Sequence, residues 1–441
     1  MTRVRFAPSP TGFLHLGNAR PALYNWLFAL ASGGEFILRF DDTDQERSSE
    51  QYAKAIKIDL EWLGIIPHRI FSQSERTALY DAARDRLIAD GRLYPCYETS
   101  DELDRARSRA RVMGRPPIYN RAALDLDDEQ RKELEKQGRK PHWRFRLKGD
   151  PVDFHDLVRG NQTVNTASMS DPVLIRADGS YLYTLPSVVD DMDMGITHII
   201  RGEDHISNSG VQVEIFQALG GVAPVFAHHN LLTDADGKSF SKRSGSLSLG
   251  DLKKQGLEPM AVALMATLTG TALALEPYDD LEQLAKKLDF SKISHGSARY
   301  DPAELESLNA RILHQTEFCE LAQRLAGFGV TSKEQWLALR DNITRLPQIE
   351  HLMVLITGPV EPIIATEDRE FIKEAARLLP PDPFDENSWK IWTGTIREKT
   401  GRKGKSLFLP LRLALTGRPD GPELKNLLPL IGRRECLARL A

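Results

Sequence analysis

The opening of the chain sets the tightest constraint on its fold. Residues 3–7 alternate in strand fashion, and Pro8-Ser9-Pro10-Thr11-Gly12 then turns the chain. A helix is expected from near Asn18, whose side chain can cap it, with Pro21 in the first turn where a missing N–H costs little. Leu23, Trp26, Leu27 and Leu30 follow at helical spacing as one stripe, Gly33-Gly34 ends the run, and residues 35–40 read as a second strand. Strand, loop, helix and strand in this order make a βαβ unit. It begins a parallel sheet, whose loops at the strand carboxyl ends bind nucleotides.

At 441 residues the chain exceeds what a single core supports. Strand signals return far downstream, at residues 181–183, 197–201 and around 230–232. The segment between carries a charged helical run at 101–111 and strands at 143–147, and it is expected to be an insertion that splits the nucleotide-binding sheet. After Leu249 strand signals fade and amphipathic segments dominate, so the remainder should be helical. The weakly polar stretch 260–275 contains Thr267, Thr269, Gly270 and Thr271 and falls short of a membrane span; it reads as a buried helix and its exit turn. No internal repeat or low-complexity tract is evident.

The composition is that of a soluble globular protein, with 41% hydrophobic and 27% charged residues. Cys96, Cys319 and Cys436 are far apart and odd in number, which suits neither a disulfide framework nor a cysteine-built zinc cluster, so a cytoplasmic setting is expected. The first residues lack the apolar core of a signal peptide. A net charge of −4 does not mark a nucleic-acid binder, and only the local excess of basic residues from Lys390 onward, among them Arg397, Lys399, Arg402, Lys403 and Lys405, points that way. Alone, such a run is more often a solvated helical face.

Two short segments carry chemistry. His15 and Gly17 stand just before the first helix, where an imidazole, a bare backbone and the free N–H groups of the helix end can face a phosphate chain. Far downstream, Asp236-Gly237-Lys238-Ser239-Phe240-Ser241-Lys242-Arg243 looks like a mobile loop ending in adjacent cations, which can neutralise charge on a departing pyrophosphate. Either segment alone reads as an ordinary turn. Together they resemble the two ATP-binding signatures of class I aminoacyl-tRNA synthetases.

Longer segments narrow the resemblance to bacterial-type glutamyl-tRNA synthetases. They are residues 5–12, residues 33–44, and residues 188–191 leading into Ile200-Arg201-Gly202-Glu203-Asp204-His205. The resemblance covers the whole chain, including residues 401–417, and implies an α/β fold. A Rossmann-like parallel-sheet catalytic domain in two halves (1–93 and 181–245) would be split by an acceptor-binding insertion (94–180). A stem-contact region (246–310) and an α-helical anticodon-binding domain (311–441) would follow. It also implies ATP-dependent activation of L-glutamate and transfer to the 3′-terminal ribose of tRNA(Glu) by a monomer, with Mg2+ accompanying ATP and no membrane involvement. By match to the family, His15 and Lys242 serve catalysis, and Ala7, Pro8, Ser9, His15, Gly17, Asn18, Asp204, Ser241, Lys242 and Arg243 hold ATP. Arg5, Ser9, Asp41, Tyr183, Ser187 and Arg201 would line the glutamate pocket, where arginines suit the carboxylates and Asp41 suits the ammonium. Neither chemical step needs a protein nucleophile, so no Ser-His-Asp arrangement is expected.

The sequence departs from the family at three places. Asp41 stands where Glu is usual, and Ser239 replaces the first lysine of the second signature, leaving more of the phosphate charge to Lys242, with Lys238 as a helper. Of a zinc site found in many relatives only Cys96 remains, with Glu98 and Ala123 at the other comparable positions, and one ligand cannot build a tetrahedral site. No zinc is expected. Competing readings are a shorter relative that glutamylates a tRNA base, a form that also charges tRNA(Gln), and a non-catalytic tRNA-binding paralogue. The first is disfavoured by the chain of about 190 residues beyond Leu249, and the last by the retained His15, Gly17, Lys242, Arg5 and Arg201.

Overall fold

The first helix begins two residues before its expected start. In the computed structural model, which describes residues 1–234, 237 and 248–441, it spans Leu16–Ser32. The cap is not Asn18 but His15, whose Nδ1 accepts the Asn18 N–H at 3.3 Å. An imidazole lone pair does here what a short polar side chain does at most helix starts. Leu23 and Leu27 are fully buried, Trp26 and Leu30 partly so, and Gly33 closes the helix in the left-handed conformation (φ 56°). Gly34 is required by space: a Cβ there would come 2.7 Å from the Thr2 carbonyl oxygen.

Strands β1 (Arg3–Phe6), β2 (Glu35–Phe40) and β3 (Arg69–Ser72) form a parallel sheet in the order 1-2-3, with Arg5 opposite Ile37 and Ile37 opposite Arg69. Strands β4 (Leu93–Cys96), β5 (His142–Phe145) and β8 (Val173–Ile175) make a separate antiparallel sheet. The hairpin β6 (Pro151–Asp156) and β7 (Gly160–Asn165) instead joins β9 (His198–Gly202) and β10 (Val225–His229) in the order 7-6-10-9. Part of the segment read as an insertion therefore extends the sheet of the second half. The two parallel groups meet at β1 and β9, where the Thr197 N–H donates to the Arg3 carbonyl at 2.9 Å and the Arg3 N–H donates to Thr197 Oγ1 at 2.9 Å. β1 thus has β2 on one side and β9 on the other, and the space above their carboxyl ends is a topological switch point.

Residues 181–183 form no strand: Tyr181 makes a single bridge to Ile175, and the helix Thr184–Asp193 starts directly afterwards. The charged run at 101–111 is the helix Ser100–Val112, held by a capping box between Thr99 and Glu102. The weakly polar stretch gives the helix Pro259–Leu268, and among the described residues no helix is long and apolar enough to cross a membrane.

The chain divides into two compact units, one of residues 1–251 and 262–301, the other of residues 252–261 and 302–441. Among its described elements the second unit is helical, around a core that includes Trp336 and Trp392. Each buried indole has an acceptor, Thr316 O at 2.9 Å and Ala375 O at 2.8 Å. Buried Arg439 donates through Nη1 to Leu355 O (2.7 Å) and Leu415 O (2.8 Å), satisfying carbonyls in the last turns of the helices Ile349–Thr357 and Lys405–Thr416.

Candidate active site

A cleft of about 570 Å³ opens at the switch point. Its walls come from the loop after β1, the start of the first helix, the residue after β2, the start of the helix Thr184–Asp193 and the end of β9. Every expected site residue that the structure describes lies on it: Arg5, Ala7, Pro8, Ser9, His15, Gly17, Asn18, Asp41, Tyr183, Ser187, Arg201 and Asp204. Ser241, Lys242 and Arg243, with Lys238 and Ser239, lie outside the described residues. The chain that follows them returns beside the cleft, since Ser248 bridges to His15 and the Leu249 N–H donates to Leu14 O at 2.9 Å.

The β1 loop is fixed by its neighbours, the Asp41 N–H donating to Pro8 O at 3.1 Å and the Ser49 N–H to Pro10 O at 3.0 Å. These bonds place the start of the first helix at one end of the cleft, where its dipole favours an anion. Gly202 lines the cleft from β9, and a Cβ there would reach 2.5 Å from Asp204 Oδ1 and 2.9 Å from the Leu231 side chain. Tyr183 Oη lies 3.5 Å from His205 Nδ1.

At the other end the buried guanidiniums divide into two kinds. Arg5 donates through Nε and Nη2 to Asp191 at 3.1 and 3.3 Å. Arg39, which the sequence reading missed, donates to Asp191 (2.7 Å), to both oxygens of Asp41 (2.7 and 3.2 Å) and to Ser187 Oγ (3.3 Å). Burial alone would lower the Arg39 pKa, but Asp41, Asp191 and Asp190 outweigh it and hold it high. Burial would likewise raise that of Asp191, yet Arg5 and Arg39 hold it below the usual carboxylate range. Burial dominates at Asp41, and its pKa is raised in spite of Arg39. Asp41 thus enters the cleft already paired, its charge shared with Arg39.

Arg201 is different. Its Nη2 donates to Ser209 Oγ at 2.6 Å and Gln212 Oε1 at 2.7 Å, and its Nε to His228 Nε2 at 3.4 Å. Among the described residues no carboxylate comes within salt-bridge distance of it. Burial, aided by repulsion from Arg5, outweighs the opposing pull of Tyr183, Asp191 and Asp204 and brings its pKa down to about 10, so it stays charged at neutral pH without a directly paired carboxylate among the described residues.

Behind Arg201 stands an arrangement that no motif in the sequence signals. Ser209 Oγ lies 2.9 Å from His228 Nε2, and His228 Nδ1 lies 2.6 Å from Asp156 Oδ2. Serine, histidine and aspartate are in nucleophile order, but the His228 and Asp156 side chains are both 0% exposed, and the serine oxygen is occupied by Arg201. It is a buried hydrogen-bond chain with no access to a substrate.

Cys96, Glu98 and His142 place ligand atoms within 4.8 Å of one another. His142, from β5, was not considered from sequence. The Tyr119 hydroxyl donates to Glu98 Oε1 at 2.6 Å, and burial pushes the Cys96 thiol up to about 12, so it is protonated. Three donors do not complete a closed tetrahedral zinc site.

A cleft at the switch point of a doubly wound parallel sheet, with a helix end for phosphates, is shared by nucleotide-binding α/β enzymes, and this chain is of that class. Residues 1–307 match the family described as tRNA synthetases class I (E and Q), catalytic domain, and residues 318–441 match an anticodon binding domain. The chain belongs to this synthetase family. Glutamate–tRNA ligase 2 of Methylobacterium radiotolerans is 57% identical over 100% of this chain and 99% of its own length. Glutamate–tRNA ligase 1 of Chelativorans sp. is 53% identical over 99% of both chains. A crystal structure of a glutamate tRNA ligase from Elizabethkingia meningosepticum, in complex with its amino acid, superposes with a TM-score of 0.88 at 27% identity, covering 100% of this chain and 98% of that one.

Proposed function

We propose that the chain is a glutamate–tRNA ligase in which the switch-point cleft holds both ATP and L-glutamate. The α-carboxylate of glutamate attacks the α-phosphate and pyrophosphate leaves, giving glutamyl-adenylate; the terminal ribose hydroxyl of tRNA(Glu) then attacks its carbonyl, takes the glutamyl group and releases AMP. The observation that carries this reading is one cleft with a helix end at one side and, at the other, Arg201, which among the described residues has hydrogen-bond partners that are all uncharged. Catalysis then rests on alignment and charge stabilisation. Ala7, Pro8, Ser9, His15, Gly17, Asn18 and Asp204 take ATP with its Mg2+, while Arg5, Ser9, Asp41, Tyr183, Ser187 and Arg201 take glutamate. Because Asp41 shares its charge with Arg39, its hold on the ammonium is weaker than that of a free carboxylate.

Lys242, with Ser241 and Arg243, is assigned to the departing pyrophosphate, supported by the return of the chain beside His15 at Ser248. Lys242→Ala should lower glutamate activation by roughly 10²–10³-fold while tRNA still binds. A loss under about tenfold would move that role to Lys238 or Arg243. Residues 94–180 are assigned to the acceptor end, 246–310 to the stem and 311–441 to the anticodon, in a cytoplasmic monomer. No zinc is assigned. Metal analysis of protein purified without added zinc should find far less than one equivalent; a stoichiometric, tightly held zinc on Cys96, Glu98 and His142 would refute it.

A further inference from the structure

We infer that the buried chain Asp156–His228–Ser209, with Gln212, positions Arg201 and does so with neutral acceptors so that its charge stays available to a substrate carboxylate. The inference rests on the assignment of Arg201 to glutamate made above. The carboxylate of Asp156 can only accept, so at 2.6 Å the proton between it and His228 belongs to Nδ1. That fixes the tautomer and leaves Nε2 as a lone pair, pointed at Arg201 Nε (3.4 Å) and Ser209 Oγ (2.9 Å). Asp156 is itself held, accepting the backbone N–H of Val158 (2.9 Å), Arg159 (2.9 Å) and His228 (3.1 Å). The His228 ring cannot turn freely, since it stacks on Phe226 with an interplanar angle of 11°.

Each contact that Arg201 receives is thus a lone pair without net charge, unlike those of Arg5 and Arg39. A carboxylate in any of these places would hold the guanidinium as firmly and would cancel its charge. Asp156 lies one residue further back, where it orients the imidazole without facing Arg201. It is carried there by the pairing of β6 with β10, in which Asp156 stands opposite Phe226.

The test is steady-state aminoacylation by the full chain with glutamate and ATP varied separately. Gln212→Glu puts a carboxylate against Nη2. It should raise KM for glutamate by roughly 10–100-fold, the span of one charge-assisted hydrogen bond, with KM for ATP within about twofold and no fall in Tm. His228→Phe should raise glutamate KM similarly, and His228→Gln, which can return an acceptor near the Nε2 place, should recover most of the loss. If Gln212→Glu leaves glutamate KM unchanged while Arg201→Ala raises it, the positioning inference is overturned and the pocket assignment stands. If Arg201→Ala also leaves it unchanged, both fall. Should His228→Phe not fold, Gln212→Glu and Ser209→Ala decide the matter alone.

Discussion

The two sides of the arginine-lined end of the cleft solve the same problem in opposite ways. Below β1 and β2, Arg5 and Arg39 are buried with Asp191 and Asp41, so their charges cancel inside the protein. Below β9, Arg201 is buried among serine, glutamine and imidazole, so its charge is not cancelled. The paired side is held by its own internal charges where it reaches the cleft. The unpaired side keeps a cation that, under the proposed assignment, the ligand carboxylate would pair.

The largest expected effect lies on the paired side. Asp191→Ala leaves buried Arg5 without its carboxylate partner and takes one of several from Arg39, which keeps Asp41 and Asp190, and should cost roughly 3–5 kcal/mol of stability in urea unfolding. Gln212→Ala, which removes one acceptor on the unpaired side, should cost only about 1.5–3 kcal/mol. Equal losses would break the contrast.

Arg5 is expected to serve both roles. Arg5→Ala should lower kcat/KM for glutamate by on the order of 10²-fold and shrink the glutamate-to-glutamine ratio, yet cost less stability than Asp191→Ala, because Asp191 keeps Arg39. An unchanged ratio would make Arg5 purely structural and leave discrimination to Arg201.

The smallest effect separates the two sides by pH. Asp191 has a folded pKa below its ordinary 3.8, so its stabilisation is complete above that value and disappears only as pH falls through the depressed one. His228 is lowered from its ordinary 6.5, chiefly by burial. Its unfolded form therefore binds the proton first, and stability falls as pH drops below about 6.5 towards the folded value. His228→Gln should flatten the stability slope just below pH 6.5, leaving the shares of His205 and His229, while Asp191→Asn should flatten it only below 3.8. If both variants act in the same window, the distinction between the sides is lost.

Much of the site was legible in the sequence because it sits in local words. The strand, turn and helix run puts Arg5, Ser9, His15 and Gly17 together through short-range geometry, and the family match supplied Asp41, Tyr183, Ser187 and Arg201. The partners of these residues were not legible. Arg39 reads as one residue of a strand, and Asp191 was visible only as part of a matching word; neither pattern tells which side chain faces which charge. The helix start was misplaced because asparagine is the usual cap, whereas His15 took that place once the β1 loop was fixed by Asp41 and Ser49.

By itself the sequence determined the order of elements, since turn residues and apolar periodicity act over a few neighbours, and the residue types that line the cleft. The tertiary structure decided which charges are cancelled. Asp191 is 186 residues from Arg5, and Asp156 is 72 residues from His228, so only the closing of the sheet brings them within hydrogen-bond distance. Burial then makes each pairing matter, because a charge removed from water must be answered by whatever the fold places beside it.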